Sequence, residues 1–181
     1  MKGGHVFVGF GFGPIQASIF SREAARAGTF AEVVVAEIDS VLVDAVRSNG
    51  DRYTLNVDTS SGLEIEDVEH VALLDPGREE DGRRLRDCLE RGTDVVTALP
   101  SVALYPAGGD RAVSARIAAA LATGRAPATV VYAAENHIRA AQILRDEVEN
   151  SQAGDSCARP TRFSNTVIGK MSRIVSDAAE I

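Results

Sequence analysis

At 181 residues, 45% hydrophobic and 25% charged, the chain has an ordinary globular composition, long enough for one well-packed domain and short for two. A net charge of −7 offers no basic stripe for phosphates, which argues against a general nucleic-acid binder. No apolar run approaches the roughly 18 residues needed to span a membrane, and no charged-then-apolar leader opens the chain, so a cytoplasmic protein without a membrane partner is expected.

The first expected strand, His5-Val-Phe-Val, runs directly into Gly9-Phe-Gly11-Phe12-Gly13-Pro14-Ile15-Gln16. Alternating glycines at the end of a strand let the backbone turn sharply and let a phosphate approach it. The helix that follows presents free N–H groups and the positive end of its dipole to that phosphate. Two registers fit the dinucleotide fingerprint. Gly11-x-Gly13-x-x-Gln16 is preferred over Gly9-x-Gly11-x-x-Pro14, because it leaves Pro14 in the first helical turn, where a missing N–H costs nothing. Either way the third glycine is replaced, which predicts slightly wider helix–strand spacing. The helix is expected from Pro14 to Ala27, with Ile15, Ile19, Phe20 and Ala24 inward and Gly28 as its stop.

A second strand, near Glu32 to Ile38, is almost continuously apolar, as a strand covered on both faces should be. It carries Glu37, which follows Gly13 at close to the roughly 20-residue offset of a ribose-binding acid. With the glycines, Glu37 points to a nucleotide cofactor. The plainer alternative is a tight turn with no ligand. A methyltransferase would also use such a turn and acid, but its first strand usually ends in an acidic residue, and Phe7 and Val8 stand there.

A second helix should bury Leu42, Ala45 and Val46 and stop at Asn49-Gly50. Tyr53–Val57 and Leu63–Glu66 alternate apolar and polar residues around a turn-rich Asp58–Gly62, which predicts an inserted antiparallel hairpin. A strand is expected over Val68–Leu74. A charged helix over Arg78–Arg91 should follow, with Leu85, Cys88 and Leu89 as its narrow apolar stripe. Next come a strand at Asp94–Ala98, a Pro- and Gly-containing loop, a helix at Ala112–Thr123, a strand at Ala128–Ala133 and a helix to about Asn150. Strand and helix alternate throughout, so the expected fold is α/β: a Rossmann-type, doubly wound, mostly parallel sheet with the hairpin inserted. Residues 1–150 are read as the dinucleotide-binding domain and 151–181 as linker and terminal segment. Cys88 and Cys157 have no metal-ligand spacing, and His5, His70 and His137 are scattered, so no metal is expected.

These stretches together resemble the polyol-specific long-chain dehydrogenases, the family of the mannitol dehydrogenases and hexuronate reductases. Phe10–Gln16 is similar to that family's glycine loop, and Val33–Asp39 to its second strand with the ribose-binding acid. Thr97-Ala98-Leu99-Pro100 resembles the loop near the nicotinamide. Glu135-Asn136 resembles a Cys-Glu/Asp-Asn element, with Ala134 in place of cysteine. Phe163–Met171 resembles a later Asn-Thr/Ser element, with Gly169 and Lys170 where aspartate and arginine are common.

The resemblance implies hydride transfer between NAD(H) and a sugar alcohol or sugar-alcohol phosphate. It implies cofactor binding by Gly11, Phe12, Gly13, Pro14, Ile15, Gln16, Glu37, Ile38, Thr97, Ala98, Leu99 and Asn136, with Asn136 also stabilising the developing alkoxide. Read as a residue alone, Asn136 could equally satisfy a backbone N–H at a helix start. His137 reads as a helix-terminus residue, and Tyr105 and Tyr132 as packing residues. A carboxylate at Glu37 would repel a 2′-phosphate, which favours NAD over NADP. The family's base is a lysine in a Lys-x5-Asn-x2-His motif. Lys2 and Lys170 are followed six positions later by Val8 and Ser176, so the motif is absent. The chain is therefore expected to be the cofactor half of such an enzyme, with a separate catalytic domain or self-association completing it, or else a stand-alone dinucleotide-binding module without turnover.

Overall fold

The structure, a computed structural model, describes residues 4–151 and 159–168. Lys2, Cys157 and residues 169–181, which carry the end of the later Asn-Thr/Ser element, lie outside the described residues. The strands are β1 (His5–Phe10), β2 (Phe30–Ala36), the hairpin β3 (Tyr53–Thr59) and β4 (Gly62–Val68), β5 (Ala72–Leu74), β6 (Asp94–Thr97), β7 (Thr129–Ala133) and β8 (Thr161–Asn165). The helices are α1 (Arg22–Ala27), entered through a π-helical stretch at Gln16–Ser21, then α2 (Ser40–Ser48), α3 (Glu79–Arg91), α4 (Val113–Thr123) and α5 (Ala140–Ser151).

Six strands form one sheet in the order β5-β2-β1-β6-β7-β8, and every pairing in it is parallel. The hairpin forms a second sheet of its own, with Tyr53 opposite Val68 and Thr59 opposite Gly62. Setting the hairpin aside leaves the Rossmann strand order, first half running outward from β1 in one direction and second half in the other. Strand periodicity builds the two cores. Val6, Val8, Phe10, Val34, Val95 and Val131 face α3, α4 and α5. Phe7, Val33, Val35 and Val96 face the first helix, α2 and the hairpin. Because both faces of β2 are covered, Val33, Val34, Val35 and Ala36 are all buried, which is why the run reads as unbroken apolar sequence.

Several local expectations shift. The first helix spans the expected residues, but its π-helical stretch places an extra residue in the turn and rotates the inward face. Gln16, Ala17, Ser21 and Ala24 are buried, while Ile15, Ile19 and Phe20 are only half-buried. In α2 the buried residues are Val43 and Val46, and Ala45 faces solvent. The backbone reverses at His70 with φ of 64°, so β5 keeps only three residues of the expected strand. β8, in the stretch read from sequence as linker and terminal segment, adds a sixth strand to the sheet, with Phe163 against the core. Among the described residues no helix is long and apolar enough to cross a membrane.

Candidate functional site

Parallel strands deliver their carboxyl ends to one edge, and the strand order reverses between β1 and β6, where sheets of this topology generally hold their ligand crevice. The glycine loop leaves β1 there. Gly11 has φ of 79°, and its N–H donates to the Ala36 carbonyl at 2.9 Å. A Cβ on Gly11 would lie 2.9 Å from the Ala98 carbonyl oxygen, so both the backbone conformation and the approach to the β6 loop require glycine. Gly9 serves packing instead, since a Cβ there would fall 2.5 Å from the Nε2 of Gln16. Gly13 differs from both: a Cβ would meet nothing within 4 Å. Nothing in the packing of the described residues explains a glycine at this position, and the space over it is open among them.

Glu37, at the end of β2, organises the loop. Its Oε2 accepts from the Phe12 N–H at 2.7 Å, and its Oε1 from the N–H groups of Ile38 at 2.7 Å and Asp39 at 2.9 Å. A carboxylate offers about four acceptor directions, so one remains for a ligand. The helix after the loop is first hydrogen-bonded at Ala17, whose N–H reaches the Gly13 carbonyl at 3.0 Å, and the N–H groups before it in a first turn have no helical acceptor. Gln16, at the third fingerprint position, is fully buried under the loop. Its Nε2 donates to Ser21 Oγ at 3.2 Å, and its Oε1 has no partner among the described residues. The Gln16 side chain therefore faces away from any ligand in the crevice.

The hairpin braces this loop. The Phe12 ring meets Tyr53 edge-to-face at 5.0 Å, and the Tyr53 hydroxyl donates to the Ala17 carbonyl at 2.7 Å. Burial raises the Tyr53 pKa well above the usual phenol range. Glu66 of β4 accepts from Arg22 Nε at 3.0 and 2.9 Å, and this bond holds its carboxyl below the ordinary range.

On the other side of the β1/β6 edge, Thr97 ends β6, Ala98 and Leu99 begin the loop after it, and Glu135 follows β7. Glu135 is 7% exposed and accepts from Thr97 Oγ1 at 3.0 Å, from the Leu99 N–H at 2.9 Å and from the Tyr105 hydroxyl. Burial, reinforced by Glu135, pushes the Tyr105 hydroxyl far above its normal pKa. The side chain of Thr97 is fully buried in this network, so Thr97 positions the loop while Ala98 and Leu99, half-buried, border the crevice. Sequence reading left Glu135 without a role and treated Tyr105 as packing. The only available signal was a carboxylate in a strand-to-helix turn, because its partners lie 38 and 30 residues away.

Asn136 is exposed, and its side-chain amide makes no hydrogen bond among the described residues. The start of α5 is satisfied by others. Asn165 Oδ1 of β8 accepts from the Ala141 N–H at 2.7 Å, and His137 Nδ1 accepts from the Arg139 N–H at 3.1 Å. The capping alternative for Asn136 is thus taken by Asn165 and His137, and the Asn136 amide stays open at the crevice end of β7. Ile38 (85% exposed) and Val41 (77%) stand beside Glu37 as large apolar side chains facing solvent. Of the residues expected to bind cofactor, the structure brings Gly11, Phe12, Gly13, Glu37, Ile38, Ala98, Leu99 and Asn136 to one edge, with Pro14 and Ile15 half-buried in the first helical turn. Among the described residues no cluster of His, Cys, Asp or Glu could hold a metal ion. No family model matches the chain, and no curated protein matches it.

Proposed function

We propose that the chain binds NAD(H) in the crevice between β1 and β6 and is the cofactor-binding unit of a cytoplasmic oxidoreductase acting on a sugar alcohol or sugar-alcohol phosphate. The observation that carries the dinucleotide reading is the meeting of the glycine loop, Glu37 and Ala98–Leu99 at the ends of three adjacent parallel strands, with open space over Gly13. The residues fit the group. The Gly11–Gly13 loop and the first helical turn would hold the diphosphate. Glu37 would take a ribose hydroxyl with its remaining acceptor direction, and Ile38 and Val41 would cover the base. When bound, the nicotinamide supplies the hydride-accepting carbon. Asn136 would donate its amide N–H to the substrate oxygen, a donor of the kind that contributes about 3 kcal/mol as charge develops. The polyol substrate rests on the family resemblance alone.

The proton acceptor has to come from elsewhere, because the Lys-x5-Asn-x2-His spacing is missing from the sequence. That same absence favours a second reading, a dinucleotide-binding module without turnover. Titration with NADH and NADPH, followed by cofactor fluorescence since the chain has no Trp, tests the binding common to both. NADH should saturate and bind more tightly than NADPH, and Glu37→Gln should narrow that preference while keeping an oxygen for the Phe12 N–H. No NADH binding at millimolar concentration, or equal binding of NADPH, would overturn the assignment. Binding of S-adenosylmethionine in place of NADH would point to methyl transfer. Turnover appearing only on addition of a chain with the lysine motif would separate the enzyme from the stand-alone module.

A further inference from the structure

We propose that the groove between α3 and α4 is a second binding site, for a small soluble polyanion such as a phosphate ester or a polyphosphate. The groove has a volume of about 930 Å³ and is lined by Arg83 and Arg86 of α3, by Arg111 just before α4 and by Arg116 in its first turn. It shares no residue with the glycine loop, Glu37 or the β6 loop, and so stands apart from the dinucleotide reading.

Its charge is what singles it out. Most arginines among the described residues of this acidic chain are matched to carboxylates, among them Arg22 to Glu66, Arg47 to Asp81, Arg78 to Asp44 and Asp75, Arg91 to Glu32 and Asp87, and Arg125 to Asp87 and Glu90. Arg83, Arg86, Arg111 and Arg116 form no ion pair among the described residues. The groove also holds Glu79, Asp110 and Glu90, but Glu90 is already engaged by Arg125 at 3.2 Å. Four unmatched guanidiniums thus face two unmatched carboxylates, in a chain whose net charge is −7.

Arg116 is the centre of the arrangement. It is half-buried, its Nε donates to the Arg111 carbonyl at 3.0 Å, and its Nη2 reaches the Pro76 carbonyl at 3.4 Å. Those bonds fix the guanidinium in place without neutralising it. Burial first, then the neighbouring Arg111 and Arg86, disfavour its charged form. Like charges gathered at a fixed spot repel one another until an anion enters, and a guanidinium fork matches phosphate oxygens in pairs.

The size and setting select the ligand. The groove volume lies within the roughly 300–1,000 Å³ of small-molecule sites. A nucleic acid or an anionic bilayer would meet a chain whose net charge is −7, which disfavours both.

The test is calorimetric titration of the full chain with inorganic tripolyphosphate at constant ionic strength, repeated in the presence of saturating NADH. Saturable one-to-one binding is expected, unchanged by NADH and weakened about tenfold or more in Arg83→Gln/Arg86→Gln, since each charge-assisted bond lost counts for about that much. Both side chains are exposed, so this variant should keep the wild-type melting temperature; Arg116→Gln provides the second, half-buried comparison. Absence of saturation at millimolar tripolyphosphate, unchanged affinity in Arg83→Gln/Arg86→Gln, or displacement of the ion by NADH would each overturn the proposal.

Discussion

Gly11 and Gly13 sit two residues apart in different surroundings, and, if the proposed dinucleotide site is correct, alanine at each should separate stability from ligand binding. At Gly11 the backbone is left-handed, with φ of 79°, and a Cβ would stand 2.9 Å from the Ala98 carbonyl oxygen and 3.1 Å from Leu99 Cδ2. The conformation costs an alanine about 1–2 kcal/mol, and displacing a backbone carbonyl adds about 1–3 kcal/mol. Gly11→Ala should therefore lose about 2–5 kcal/mol, a fall in melting temperature of roughly 5–15 °C for a chain of this size. At Gly13 the new methyl meets nothing within 4 Å. Gly13→Ala should leave stability unchanged or raise it by up to about 1 kcal/mol, through the smaller entropy of the unfolded chain. The same methyl occupies the space through which a diphosphate would approach the loop amides, so NADH affinity should fall about tenfold or more, the loss of a single charge-assisted bond. Differential scanning fluorimetry and NADH titration on both variants read the two effects. Wild-type NADH affinity in Gly13→Ala would refute the phosphate placement. A wild-type melting temperature in Gly11→Ala would refute the packing argument.

Two further outcomes follow from the buried and paired groups. Tyr105→Phe removes one of three donors to the buried Glu135 carboxylate and should destabilise the chain by about 1.5–3 kcal/mol in urea unfolding; a change below about 0.5 kcal/mol, the range of an ordinary surface substitution, would show that the network carries no such weight. Glu66 is held below the ordinary carboxylate range, chiefly by its hydrogen bond from Arg22, so its contribution is complete above the unfolded glutamate value of about 4.3 and is lost as pH falls through the lower folded value. Asp44 and Asp87 are lowered in the same way by Arg78 and by Arg125 with Arg91. The difference between wild type and Glu66→Gln isolates the hairpin clamp. Their stabilities should differ at pH 6, and the difference should shrink as pH falls through the lowered folded value; a difference that does not change between pH 6 and acid would contradict the assignment.

The strand-and-helix alternation, the hairpin and the glycine turn were legible because each rests on neighbours in the chain. Tyr53–Val57 alternates since one hairpin face packs on the first helix and the other meets solvent. The narrow stripe of Leu85, Cys88 and Leu89 is the whole buried apolar face of α3. β8 was not legible as a strand. As an edge strand that buries mainly Phe163 between polar residues, it leaves too faint an apolar pattern to separate it from a loop.

At the crevice the division is the same. Gly11 and Glu37 could be singled out by residue type and spacing, because a left-handed turn and a strand-end carboxylate that gathers loop N–H groups are local requirements; Gly13 shares the spacing, but no left-handed turn or close packing among the described residues requires it. The inward turn of Gln16 could not be read, since a π-helical turn shifts the helix face by an amount that only packing against Gly9 and Ser21 decides. Nor could the Glu135 network or the capping of α5 by Asn165, whose partners lie on separate strands and loops. Backbone preference and periodicity act over a few residues and are written along the chain. A buried carboxylate or an open helix end must find its hydrogen-bond partners in space, and folding alone determines which distant residues arrive there.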